Sequence, residues 1–527
     1  VSAAPSTAPT AITELPVPKS ATAGAAEAYH AGLAALRAGR RAAPDFERAL
    51  TLDPSMTSAH VQILSCGIEG IPLDTMRAHY RSASEQRASL GERDRMVLDA
   101  YTPLVAKEPT DYPEATRRLR AAVDRFPGDV QLWDLLGGFG IDGGLEASLG
   151  AYESALALDP HDAQAMTNAA ERDAYLGRFS AAKALLARCL EDAPTAGWCR
   201  DLLARLLASE GSCVELETRA REALIAGPTD PDPTEWLAQS LAGRAPIEAV
   251  AEALQQSASR MTEPVRAIRA VDDAITLALF RGDFTAAIAH AHTLEERIKD
   301  STLGRDHGRV ASVLLDALTE SGDSREATSV GRAFLARSSA WEAPSGGEDI
   351  AMSEDAVPST LASLRSIGAL DATAFATARD RWVTTWDTRA AKAVHNFVWM
   401  HGYAESSTTP EDAFTALGAL AKYEPIPPFR PRTIGEAFIG RTYLLAGRVD
   451  EAIPWLERAT RACSALRFPV TQTRTFYWLG LARESKGDVA GACAAHKVVI
   501  DRWAKATPRS VTLQAARTRR SALHCPE

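Results

Sequence analysis

The sequence is short of most features that announce chemistry. Its 527 residues contain no C-x-x-C pair, which disfavours a zinc knuckle or a thioredoxin-like site. H-E-x-x-H and G-x-S-x-G are also missing, so neither a zincin helix nor a nucleophile elbow is written in it. No apolar run reaches the roughly 18 to 20 residues that span a bilayer. Aromatic residues make up only 6%, against 46% hydrophobic residues overall, and alanine is abundant. That balance favours helices packed through small side chains over a β-rich core. Positive charge is in deficit: 58 Lys and Arg against 68 Asp and Glu give a net charge of -10, which speaks against generic nucleic-acid binding.

What is present is a period. Pro127, Pro160, Pro194 and Pro228 lie 33, 34 and 34 residues apart, each after an apolar helical run. Proline stops a helix because it lacks the N–H and clashes with the preceding turn. A 34-residue spacing that ends on Pro is the mark of the tetratricopeptide repeat, a helix–turn–helix unit. Other positions agree. Trp133-x2-Leu136-Gly137 fits the W-x2-L-G start of a unit, and Ala42-x3-Phe46 with Ala49 and Pro54 fits a second half. Ala170, Gly177, Ala182 and Leu186 occupy the small, turn, small and large places. "GRTYLLAGRVDEAIPWLERA" (440–459) is the clearest copy, and "FYWLGLARESKGDVAGACAAHKVVI" (476–500) follows it.

The same period accounts for "WDLLGGFGIDGG" (133–144), in which Gly138, Gly140 and Gly143 spell G-x-G-x-x-G. A dinucleotide fingerprint needs a strand before it and an acidic residue on a second strand. Here a helix precedes it, and no Gly-Lys-Ser/Thr follows. The stretch reads as a glycine-rich helical hairpin.

The expected architecture is an all-α, tetratricopeptide-like solenoid of about thirteen hairpins. They start near 25, 57, 93, 129, 163, 197, 233, 264, 305, 358, 389, 433 and 471, and a helix at about 509–523 caps the array. Residues 1–24, rich in Ala, Pro, Ser and Thr, read as a flexible linker leading out of an earlier segment. Residues 340–357, Gly/Pro-rich and acidic, are expected to divide an N-terminal arm (25–339) from a C-terminal arm (358–525). The proline-dense "YEPIPPFRPR" (423–432) should be extended.

The last segment, "LGLARESKGDVAGACAAHKVVIDRWAKATPRSVTLQAARTRRSALHC", resembles the end of tetratricopeptide regions attached to bacterial membrane-anchored serine/threonine protein kinases. "ELPVPKSATAGAAEAYHAGLAALRAG" and "LGERDRMVLDA" (90–100) resemble the linker and third repeat of such proteins. No V-A-I-K, H-R-D or D-F-G set occurs, so the resemblance implies a sensory or partner-binding region whose kinase domain lies outside this chain. It also implies a membrane tether upstream and a periplasmic or extracytoplasmic location.

Candidate sites follow from the solenoid. Its concave face, lined by the first helix of each unit, takes extended or helical segments of protein partners. The positions there are Gln164, Glu171, Trp198, Asp201, Arg205, Arg441 and Tyr477, and the Lys/Asn set of a carboxylate clamp is absent. His290 and His292 are two apart on a helix and point to different faces. No catalytic residue, cofactor or metal site is expected. The remaining alternatives are a freestanding cytoplasmic scaffold, or an enzyme with a site between the arms near 340–360, which a buried cluster of perturbed titratable groups would favour. Of the seven cysteines, Cys493 on the last unit and Cys525 on the cap are spaced to meet, as are Cys189 and Cys199 across one turn. Such bonds would imply an oxidising compartment; buried reduced thiols are the alternative.

Overall fold

A computed structural model describes residues 8–22, 24–66, 71–107, 110–227, 232–340, 352–426, 428–429 and 434–526. Pro228, residues 341–351 of the central break, and parts of the two proline-rich segments (1–7, 23, 427, 430–432) lie outside the described residues. Among the described residues the chain forms thirteen helical hairpins and a final helix. The first six are α1/α2 (Ala25–Arg37, Ala43–Leu52), α3/α4 (Thr57–Ser65, Leu73–Glu85), α5/α6 (Glu92–Val105, Tyr112–Arg125), α7/α8 (Val130–Phe139, Leu145–Leu158), α9/α10 (Ala163–Tyr175, Phe179–Asp192) and α11/α12 (Gly197–Glu210, Cys213–Ala226). Three more follow: α13/α14 (Asp232–Leu241, Ile247–Ser259), α15/α16 (Val265–Arg281, Phe284–Ile298) and α17/α18 (Gly304–Ser321, Ser324–Arg337). After the central break come α19/α20 (Val357–Ser366, Ala372–Arg389), α21/α22 (His395–Trp399, Pro410–Ala419), α23/α24 (Gly435–Leu445, Val449–Arg461) and α25/α26 (Pro469–Ser485, Val489–Arg502). The cap is α27 (Val511–Ala522). The eleventh hairpin starts six residues later than its repeat pattern implied, because α20 runs on to Arg389 before the chain turns.

Two local rules build each hairpin. Gly-Asp dipeptides make the turn: Gly282 closes α15 in the left-handed region (φ +78), and the Asp283 carboxylate then accepts the Ala286 N–H to start α16. A small residue on the first helix sets the approach of a large one on the second. A Cβ on Gly137 would lie 2.5 Å from the Tyr152 ring, and one on Gly440 2.7 Å from Leu456. This is the physical role of the glycine-rich stretch. Its later glycines form a single 3-10 turn, Gly140–Gly143, before α8.

The two expected arms are not separate bodies. The C-terminal arm lies along the N-terminal one, and polar contacts join the two at several points. Gln239 Nε2 donates to the Cys463 carbonyl at 224 residues' distance along the chain, Trp503 Nε1 to the Leu279 carbonyl at 224, and Thr285 Oγ1 to the Thr507 carbonyl at 222. Cores are shared accordingly. Met166, Leu186 and Leu206 pack in one cluster with Trp382, Trp399 and Leu456. Ile275, Phe284 and Leu314 join Trp503 and Leu513 in another.

The segments expected to be linkers also contribute anchors. Ile12 and Leu15 are buried in the cluster of the first hairpin, and Thr10 pairs with the 128–130 backbone, so the linker is docked before residue 24. Met352 is fully buried ahead of α19. In the proline-rich crossing, Phe429 is buried and meets Tyr175 and Phe179 at ring-centroid distances of 6.0 and 6.4 Å. Each anchor is an isolated apolar side chain in a polar or proline context, too sparse to register as a period.

Gly282 serves both the turn and the contact between arms, since a Cβ there would meet Trp503 Cδ1 at 2.9 Å. Gly368 is equally left-handed (φ +74) but faces open space. Replacing Gly368 by Ala is expected to destabilise the fold by about 1 kcal/mol, the backbone term alone. Gly282→Ala should lose about 3 kcal/mol, because the clash with Trp503 adds to it. Denaturant midpoints of the two variants measure this, and equal losses would refute the packing role.

Candidate interaction surface

The expected concave face is largely filled by the chain itself. On α9 almost every residue is buried, and Gln164 is one of them. Its Nε2 donates to Asp134 Oδ2 at 3.0 Å, while Asn168 Nδ2 donates to Oδ1 at 2.9 Å. Burial raises the Asp134 pKa to about 6, against the lowering effect of those two amides. Gln164 is therefore a structural ligand of a buried carboxyl, not a partner contact. Arg441 is likewise taken. It donates to the Ala404 and Glu405 carbonyls (3.3 and 2.7 Å) and lies over the Trp478 ring at 4.9 Å, and desolvation lowers its pKa to about 10.

The other predicted positions are half-buried. Glu171 pairs with Arg172 at 3.1 Å, and Arg205 pairs with Asp201 along α11. The Trp198 backbone N–H donates to the Gly39 carbonyl at 3.1 Å, tying α11 to the first hairpin. Tyr477 differs. It lines an open groove of about 500 Å³ between α25 and α27. A second, smaller groove of about 320 Å³ runs past Leu149, Leu156 and Leu185.

The groove at Tyr477 is built on a fixed frame. Glu320, nearly inaccessible on α17, accepts from Arg474 Nε (2.6 Å), Ser510 Oγ (2.6 Å) and Thr512 Oγ1 (2.8 Å). One carboxylate thus joins α17, α25 and the start of α27. Tyr477 packs against His496 with centroids 5.5 Å apart and the rings tilted by 46°.

The structure joins Cys189 to Cys199 and Cys493 to Cys525, with Cα atoms 6.5 and 5.6 Å apart. A third bond, Cys213–Cys463, spans 250 residues and links α12 to the end of α24. Local spacing carries no signal for it, since its partners belong to different arms. Cys66 is buried and unbonded to another cysteine.

Near 340–360, where a catalytic site would have to sit, there is a buried polar cluster. Asp355 accepts from Val357 N (3.0 Å), Trp382 Nε1 (2.7 Å) and Trp386 Nε1 (3.4 Å), and burial raises its pKa. His401, in a π-helical turn (Met400–Glu405), holds Glu405 Oε2 at 2.5 Å through Nδ1, and its Nε2 lacks a hydrogen bond. A carboxylate-oriented imidazole is the geometry of a general base. Here it is only 3% exposed, and the Asp355 carboxylate is engaged by three donors.

No group of three or more metal-ligating side chains occurs among the described residues, and no described helix is long and apolar enough to cross a membrane. No family model matches the sequence, and no curated protein matches it. Solved structures with a likeness to it include the Naa15/Naa10 complex bound to HypK-THB (12% identity, covering 94% of this chain and 79% of that one, TM-score 0.24). Others are the human IFIT1 dimer with m7Gppp-AAAA (12% identity, 86% and 92%, TM-score 0.34) and the P58(IPK) TPR domain (15% identity, 56% and 88%, TM-score 0.18). At these scores the tetratricopeptide-like assignment rests on the hairpin geometry itself.

His496 is fully buried and neither ring nitrogen has a hydrogen bond. Desolvation, helped by Arg520, lowers its pKa from 6.5 to about 4. The unfolded chain takes the proton first, so this contribution is intact above pH 6.5 and is lost as pH falls toward 4. The loss from this one group is about 3 kcal/mol. His496→Leu should flatten the stability profile between those pH values while keeping stability at pH 7. A variant profile as steep as the parent's would contradict the assignment.

Proposed function

We propose that this chain is a non-catalytic protein-interaction scaffold, held rigid by disulfides in an oxidising compartment. The observation that carries the reading is the closed helical array itself, in which six of seven cysteines are bonded and one bond spans 250 residues between the arms. Disulfides persist outside the reducing cytosol. A rigid scaffold with its inner face occupied presents partners with surfaces whose shape is set before binding.

The finer reading draws on the resemblance of the C-terminal segment. It makes this chain the sensory or partner-binding region of a bacterial membrane-anchored serine/threonine kinase, on the extracytoplasmic side. The buried His401–Glu405 pair is the observation that favours a catalytic reading instead. Its burial and the engagement of Asp355 support a packing role.

Protein from its native source, unfolded without reductant and alkylated, is expected to carry one label, on Cys66. After reduction it should carry seven. Seven labels without reduction would place the chain in a reducing compartment and overturn the exported reading. Purified oxidised chain should also retain a stoichiometric protein partner from the cell-envelope fraction, unaffected by His401→Gln. Turnover of a substrate that His401→Gln abolishes would replace the scaffold by an enzyme.

A further inference from the structure

Uncommitted positive charge lies beside an open groove at the C-terminal cap. From Arg502 to Cys525 the sequence has six Lys and Arg and no Asp or Glu, in a chain of net charge -10. Three of the six are already engaged. Arg502 donates to Gln472 Oε1 and Thr473 Oγ1, Arg520 to the Cys493 carbonyl, and Arg519 pairs with Glu484. Lys505, Arg509 and Arg517 are exposed, and none forms an ion pair among the described residues.

Of these three, Arg509 lines the groove between α25 and α27. Val511, Gln514, Ala515 and Thr518 line it from α27, at spacings of three, four and seven residues, which is one continuous helix face. The opposite face of α27, through Leu513 and Ala516, is buried in the core. Val511 is 54% exposed, a large apolar side chain facing water at the groove wall. Tyr477 closes the far wall, and Arg509 stands at the mouth beside the N-terminal, positively polarised end of α27. Nothing in the groove has to move to admit a chain, because Glu320 and the Cys493–Cys525 bond fix α27 at both ends.

We infer that this groove docks an extended acidic peptide segment of a protein partner. The segment places an aliphatic or aromatic side chain against Val511, Ala515 and Tyr477. Gln514 and Thr518 hydrogen-bond its backbone, and its Asp or Glu residues face Arg509. The apolar wall distinguishes this surface from a purely electrostatic one. A lipid headgroup or a polyanion would use the arginines alone, whereas an acidic peptide uses both parts. The inference rests on the scaffold reading and names the kind of partner that one surface takes.

The test is selection of a display library of random peptides, each about 12 residues long, on the immobilised oxidised full chain. Enriched sequences should carry Asp or Glu flanking a large apolar residue and should bind less tightly as ionic strength rises. Arg509→Glu and Val511→Asp should each weaken them about tenfold or more, and Arg509→Lys about twofold at most. Both positions are at the surface, and an unchanged melting temperature shows that the variants are folded. Peptides that bind but ignore both substitutions overturn the groove and leave the scaffold reading standing. Binding of phosphatidylglycerol vesicles that Arg509→Glu abolishes and Val511→Asp leaves unchanged overturns the peptide assignment in favour of a charged surface. If no peptide is enriched and no envelope partner is retained, the groove and the scaffold reading fall together.

Discussion

A pair of antiparallel helices has two faces and can cover only one of them from its own sequence. The usual remedy is the next pair in line. This chain applies a second remedy as well. The later hairpins turn back and pack against the first helices of earlier ones. Much else follows from that overlap. It gives Gly211 and Gly282 a second neighbour beyond their own turns, and brings Cys463 to Cys213.

The overlap also explains which parts of the molecule were legible from sequence. Hairpins are local objects. Small residues opposite large ones, Gly-Asp turns and terminal prolines all act within about 34 residues, so thirteen units and their cap could be counted. Short disulfides across one turn are local in the same way. Contacts between the arms are not. Nothing near Gln239 announces the Cys463 carbonyl, and nothing near Glu320 announces Arg474 and Ser510. Gln164 and Arg441 read as concave-face positions because repeat spacing places them on the first helix of a unit. In the structure the preceding hairpin takes both, Gln164 through Asp134 and Arg441 through the Ala404 and Glu405 carbonyls, so they are packing sites. Tyr477 instead lines the groove beside α27.

Polar burial is unusually consequential in such a structure. Asp134, Asp355 and His496 each sit where the charged form is disfavoured by burial. The two carboxyls are met by amide, indole or backbone donors, while the imidazole is left with none. The first arrangement specifies how helices are oriented, since a half-satisfied carboxyl would be expensive in a low-dielectric core. The second leaves the last hairpin sensitive to acid. Rigidity of the array and its response to pH thus come from different residues.

The Cys213–Cys463 bond has a mechanical consequence for a chain held at one end. Force applied between the two termini travels through the disulfide and bypasses everything between those residues. An unfolded stretch of 250 residues would otherwise add roughly 850 Å of slack. With the bond closed, that length cannot be drawn out, and a load on the C-terminal cap passes covalently from Cys463 to Cys213, short-circuiting the intervening hairpins. The bond therefore makes a long, modular helical array behave, under tension, as a short tether.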